Sequence, residues 1–180
     1  DIPFYARSIF HLRSIYYDGI ATQLYVDRRG NPEKKQFGFD TLSKIKTYAA
    51  LAQASTKTSN RLYITEVNWA LKNMGIWAPA KNYLTEESFQ SRYLVRYFLL
   101  MLASGKVEKC YWHQLVAPGY GLINNLDGQI FKRDAYYCYK YLIEILNGGI
   151  IKKLIREKNL YCLVVEKGNS IIEAVWSSKE

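Results

Sequence analysis

The 180-residue chain has no uninterrupted apolar run long enough to span a bilayer, and nothing in it resembles a signal peptide. No membrane partner is expected. Cysteine is scarce: Cys110, Cys138 and Cys162 are odd in number and widely spaced, without a CxxC or Cys/His ligand pattern. That argues against a disulfide framework and against a zinc site, and neither metal nor cofactor is expected. Each cysteine sits among apolar and aromatic neighbours, the setting of buried free thiols. No glycine-rich phosphate fingerprint follows any strand-like segment, which argues against a dinucleotide site. Internal repeats and low-complexity segments are also absent.

What is present is a basic, aromatic chain with ample apolar content. Twenty-five Lys and Arg against sixteen Asp and Glu give a net charge of +9. Such an excess suits nucleic acid or an anionic surface. The basic residues are scattered, however, as Arg28-Arg29, Lys34-Lys35, Lys152-Lys153 and Arg156, and no nucleic-acid motif accompanies them. A solvated basic face is the simpler reading, with no nucleic-acid partner. The hydrophobic share of 49% is enough for one sizeable core. Sixteen Tyr and four Trp, several at the ends of strand-like segments, are more informative. Aromatic faces pack on the C–H faces of sugar rings, and their polar edges bond hydroxyls.

Strand-like and helix-like segments alternate. Phe4 to Ser14 has helical apolar spacing, and Gly19 to Val26 reads as a short strand. Phe39 to Ala54 reads as a helix capped by Asp40, with Leu42, Ile45, Tyr48, Ala49 and Ala52 on one stripe. Leu62 to Val67 (LYITEV) is a second strand. Thr85 is the expected N-cap of a helix running through Leu102 and stopped by Gly105. Val107 to Leu115 is a third strand, and Asp134 to Leu146 a further helix ended by Asn147-Gly148-Gly149. Three successive strand–loop–helix units predict a parallel sheet with helical crossovers, as in a Rossmann sheet or a barrel. The tail changes class: Leu160 to Val165 and Ile171 to Trp176, joined by turn residues, predict a β-hairpin.

In a β/α barrel, functional residues stand where strands end and loops begin. LYITEV delivers Glu66 to such an end, followed by Asn68 and Trp69; the next strand delivers Trp112, His113 and Gln114, and the earlier one Gln23 and Tyr25. A carboxylate there is costly to bury unless it is paired or used. Alternation turns Trp112 and His113 to opposite faces, so with Trp112 facing the site, His113 is set aside. His11 reads as a packed helix residue, and Asp27, Glu33, Glu86 and Glu87 as solvated carboxylates.

The segment Ile64-Thr65-Glu66 with Asn68-Trp69 resembles the seventh-strand nucleophile segment of the clan A glycoside hydrolases, particularly the family 39 β-xylosidases and α-L-iduronidases. Tyr111-Trp112-His113-Gln114, with Tyr120-Gly121-Leu122 in the following loop, resembles their eighth strand, whose tryptophan floors the sugar subsite. Tyr17 to Tyr25 resembles their sixth strand, which often carries His where Gln23 stands. The tail from Leu160 to Trp176 resembles the start of their accessory β-sandwich.

The resemblance implies the C-terminal part of a (β/α)8 TIM barrel over residues 1–149, about strands six to eight, with residues 150–180 a β-hairpin opening a C-terminal β domain. It implies Glu66 as the nucleophile of a retaining glycosidase. Trp112, Asn68, Trp69, Tyr25, Gln23, Gln114 and Tyr120 are the expected contacts to a carbohydrate substrate. The acid/base of that clan follows the fourth strand as an Asn-Glu pair, which this sequence lacks. A whole barrel needs about 250 residues, so the chain alone is expected to be inactive. Self-association, or a partner supplying the rest of the barrel, is expected from the open strand edges. A non-catalytic carbohydrate-binding or interaction module is the alternative, and a basic nucleic-acid-binding domain a weaker third.

Overall fold

The structure is a computed structural model that describes residues 18–26, 30–55, 61–72, 74 and 83–179. The helix expected over Phe4 to Ser14 lies outside these residues, as do His11, Asp27 and the Arg28-Arg29 pair. In chain order, strand β1 (Ile20–Gln23) precedes helix α1 (Thr41–Ser55) and strand β2 (Leu62–Val67). Two short strands, β3 (Ala70–Leu71) and β4 (Leu84–Thr85), lead into helix α2 (Glu87–Ser104) and strand β5 (Val107–Trp112). A second pair of two-residue strands, β6 (Ile123–Asn124) and β7 (Phe131–Lys132), precedes helix α3 (Asp134–Leu146). Strands β8 (Ile150–Glu157), β9 (Leu160–Lys167) and β10 (Ser170–Ser177) complete the chain.

Strands β1, β2 and β5 form one parallel sheet in that order. The sheet is open, and no closed barrel is present among the described residues. Its helix-covered face carries Ile20, Leu62, Ile64 and Val67, which pack with Ile45, Tyr48 and Ala52 of α1 and Leu94, Tyr97 and Met101 of α2. Helix α2 is buried on nearly every side, from Gln90 through Met101. Such a helix belongs in the interior between layers: one flank meets the parallel sheet, and Leu99 on another meets Leu163 and Val165 of β9.

The helix ends follow local chemistry. Asp40 caps α1, its Oδ1 accepting from the Ser43 backbone N–H at 2.8 Å and the Ser43 hydroxyl at 2.7 Å. Helix α2 stops at Gly105, whose φ of 57° is the left-handed conformation that costs glycine least. The expected cap at Thr85 is displaced: Thr85 pairs in β4 with Leu71, and the N-cap position falls to Glu86, whose side chain bonds Lys72 at 2.8 Å instead.

The tail is a three-stranded antiparallel meander in the order β10-β9-β8, one strand more than the expected hairpin. Polar contacts fasten it to the α/β layer besides its apolar face, among them Lys167 Nζ of β9 donating to the Ile145 carbonyl of α3 at 2.8 Å. Arg156 reaches Asp40 at 3.3 Å. Glu33, from the loop after β1, receives the Arg96 guanidinium of α2 and the Trp176 indole N–H of β10, the latter at 2.6 Å. Glu33 was expected to be solvated and is instead 7% exposed, which a carboxylate tolerates only with such partners.

Candidate active site

Simple alternation along β2 would put Glu66 on the same face as Leu62 and Ile64, under the helices. The register shows otherwise. Thr22 of β1 pairs with Ile64 and Gln23 with Glu66, so β2 spends two residues where β1 spends one. On the other side, Cys110 pairs with Ile64 and Trp112 with Val67, three residues against two. Both neighbours place one extra residue in β2 at Thr65, the pattern of a β-bulge. The bulge turns Glu66 to the open face beside Gln23 and returns Val67, 0% exposed, to the helix-covered face.

On the open face the Glu66 carboxylate has one donor per oxygen. The Gln23 amide Nε2 donates to Oε2 at 2.9 Å, and the Tyr25 hydroxyl donates to Oε1. The Glu66 backbone carbonyl accepts from Leu24 N–H at 3.1 Å, tying the end of β2 to the segment leaving β1. Tyr97 of α2 fixes the same segment from below, its hydroxyl donating to the Leu24 carbonyl at 2.6 Å. Both donors to the carboxylate are neutral, so they set its plane without cancelling its charge. With up to four lone-pair sites, a carboxylate holding two such bonds still has electron density to offer an electrophile.

The other expected site residues divide differently. Trp69 is wholly buried, its indole N–H donating to the Gly30 carbonyl at 3.0 Å and its ring packed among Tyr93, Tyr97 and Trp112. Trp112 is 9% exposed and lies nearly parallel to Trp69, at 6.1 Å between centroids. Its pairing with Val67 puts it on the helix-covered face. The expectation that Trp112 shares the face of Glu66 is therefore not met, and the bulge is the reason. Asn68 is buried and donates to the His113 carbonyl at 2.6 Å, which makes it a brace between strand ends. Gln114 is exposed.

Tyr120 stacks on His113 with planes 9° apart and centroids 5.7 Å apart. Its backbone carbonyl accepts the Trp112 indole N–H at 3.1 Å. His113, set aside on the sequence, is thus half of an aromatic pair at the end of β5, because Trp112 turned inward rather than outward.

Cys110 of the neighbouring strand does not serve this face. Burial pushes the Cys110 thiol up to about 12, and it sits on the helix-covered side of β5; a thiol held neutral is a poor nucleophile. Burial likewise raises the Tyr97 hydroxyl well above its ordinary value, in keeping with its role as a fixed donor. Among the described residues no three His, Cys, Asp or Glu side chains gather as a metal site, and no helix is long and apolar enough to cross a membrane.

No protein-family model matches the chain, and no curated protein matches it in sequence. Among solved structures it is similar to a family 39 glycoside hydrolase from the gut symbiont Bacteroides cellulosilyticus WH2, with a TM-score of 0.75 at 12% identity. The match covers 96% of this chain and 36% of that one, so the chain spans about a third of that enzyme's length. At this identity the likeness is one of architecture: the chain has a glycoside hydrolase-like fold.

Proposed function

We propose that the chain is the C-terminal part of the (β/α)8 barrel of a retaining glycoside hydrolase and that Glu66 is its nucleophile. One observation carries this reading. Glu66 stands at the C-terminal end of a parallel strand, on the face opposite the one packed against the described helices, with Gln23 and Tyr25 each donating to one of its oxygens. The open face of β1, β2 and β5 would be barrel interior, and the remaining strands would come from sequence outside this chain.

In this reading the carboxylate attacks the anomeric carbon as the bond to the leaving oxygen breaks, giving a glycosyl ester on Glu66. The leaving oxygen must be protonated by a second carboxyl about 5 Å away, which then takes a proton from the water that hydrolyses the ester. That group belongs to the strands outside this chain. Gln23 and Tyr25 hold the attacking oxygens in line, so that orientation is settled before substrate arrives. The non-catalytic sugar-binding alternative has less support, since Trp69 and Trp112, the platforms it would use, are inside the core.

The test is chemical rescue in the complete protein that contains this segment. Glu66→Ala should lose activity on an activated aryl glycoside, and azide should restore turnover with a glycosyl azide of inverted configuration as the product. A Glu66→Ala protein that stays folded and keeps its activity would end the proposal, as would one that azide leaves dead.

A further inference from the structure

Away from Glu66, helices α2 and α3 and the end of β10 enclose a groove of about 400 Å³. Its floor is apolar and rigid. Phe89 and Val95 come from α2, and Trp176 from β10. The Trp176 ring is fixed twice, by its indole N–H on Glu33 at 2.6 Å and by stacking on Tyr161 with planes 15° apart. The rim is cationic. The Arg92 guanidinium lies 4.6 Å from the Phe89 ring centroid, with Nε donating to the Ser88 carbonyl at 2.9 Å. Lys179 also lines the groove. Among the described residues no carboxylate pairs with either cation, whereas the Arg96 charge nearby is neutralised by Glu33.

We infer that this groove is a binding site for an amphipathic anion with a planar apolar body, of the aromatic carboxylate class. Its volume falls within the roughly 300–1,000 Å³ of small-molecule sites, which combine apolar walls with a few placed polar groups. The held Trp176 ring supplies a flat apolar surface. Arg92 offers the forked donors that match a carboxylate, with its guanidinium already oriented over Phe89. The groove's apolar rings and cationic rim contrast with the amide and hydroxyl donors around Glu66, so the site is distinct in chemistry from the one proposed there and does not depend on it.

The probe is 2-naphthoate, titrated into the chain by calorimetry and by amide and indole N–H chemical shifts. Binding should shift Ser91, Ser177 and the Trp176 indole while leaving Gln23 and Glu66 unmoved. Arg92→Glu and Lys179→Glu, both at the exposed rim, should each weaken binding about tenfold, as loss of a charge-assisted bond does. The neutral isostere 2-naphthylmethanol should bind more weakly by a similar factor. Equal affinity for acid and alcohol, shifts centred elsewhere, no binding, or a folded Arg92→Glu protein with unchanged affinity would each overturn the inference.

Discussion

Replacing Glu33 by Gln tests whether the buried ion pair holds the meander on the α/β layer. The side chains of Arg96 and Glu33 are 9% and 3% exposed, so the charge left on Arg96 has little access to water. Removing one partner of a buried pair costs about 3–5 kcal/mol, most of it from the stranded charge. The Trp176 indole can still donate to the new amide oxygen, so its bond adds little to the loss. A destabilisation of about 3–4 kcal/mol corresponds to a fall in Tm of roughly 10 °C for a chain of this size. Urea unfolding followed by circular dichroism would measure it, with an unchanged m-value as the check that the unfolded states match. The companion is Glu33→Gln with Arg96→Met, which removes both charges while leaving an amide oxygen for the Trp176 indole, and should recover much of the stability lost by Glu33→Gln alone. A Glu33→Gln cost below about 1 kcal/mol, the scale of an exposed pair, would refute the reasoning. So would a double variant no better than the single one.

Two further outcomes follow from the helix cap and the bulge. Burial raises the Asp40 carboxyl, but the Ser43 hydrogen bonds and the Arg156 guanidinium outweigh it and hold Asp40 below its ordinary 3.8. The stability this contributes is full above 3.8 and is lost as pH falls through the lower folded value. Asp40→Asn keeps the cap, so it should be less stable than wild type at neutral pH by under about 1 kcal/mol, a gap that urea titrations in acid should find closed. Deleting Thr65 should cost several kcal/mol, about what burying an unpaired carboxylate demands, whereas Thr65→Val, at an exposed position, should stay within about 0.5 kcal/mol. Thermal melts of the two variants would settle it, and a deletion as stable as wild type would mean that Glu66 does not need the extra residue.

Much of the architecture was legible because its signals are local. Helix α3 runs from Asp134 to Leu146 as its spacing and the following Asn-Gly-Gly predict, and Asp40 and Gly105 mark helix ends by side-chain and backbone chemistry alone. Strand β8 was not legible, for a physical reason. Ile151 pairs with Val165 and Lys153 with Val164, so Lys152 is an extra residue. Ile151 and Leu154 consequently both face the core at a spacing of three, which has no strand-like alternation. The displaced cap at Thr85 had a different cause: pairing with β3 claimed the residue that local propensity reserved for the helix.

The same kind of irregularity governs the candidate site. Leu62, Ile64 and Val67 are the wholly buried positions of β2, spaced two and then three apart, and that change of interval was the one sequence signal of a bulge. Without it, Glu66 and Trp112 look like companions at successive strand ends. With it, Trp112 pairs with Val67 and joins the helix-side core, while Glu66 crosses to the open face. A carboxylate left in phase with Ile64 would be an isolated charge in an apolar layer, which folding strongly disfavours. One inserted threonine therefore converts a strand-end liability into an accessible carboxylate with two oriented donors. The elements flanking it, Tyr97 on the Leu24 carbonyl and Asn68 on the His113 carbonyl, pin the strand ends on either side. That division of labour, with aromatics and amides bracing from the buried face and Gln23 and Tyr25 acting on the open one, follows from register rather than from residue type. It explains why strand-end placement and the resemblance pointed to a sugar-facing Trp112 where the fold packs that ring against Trp69.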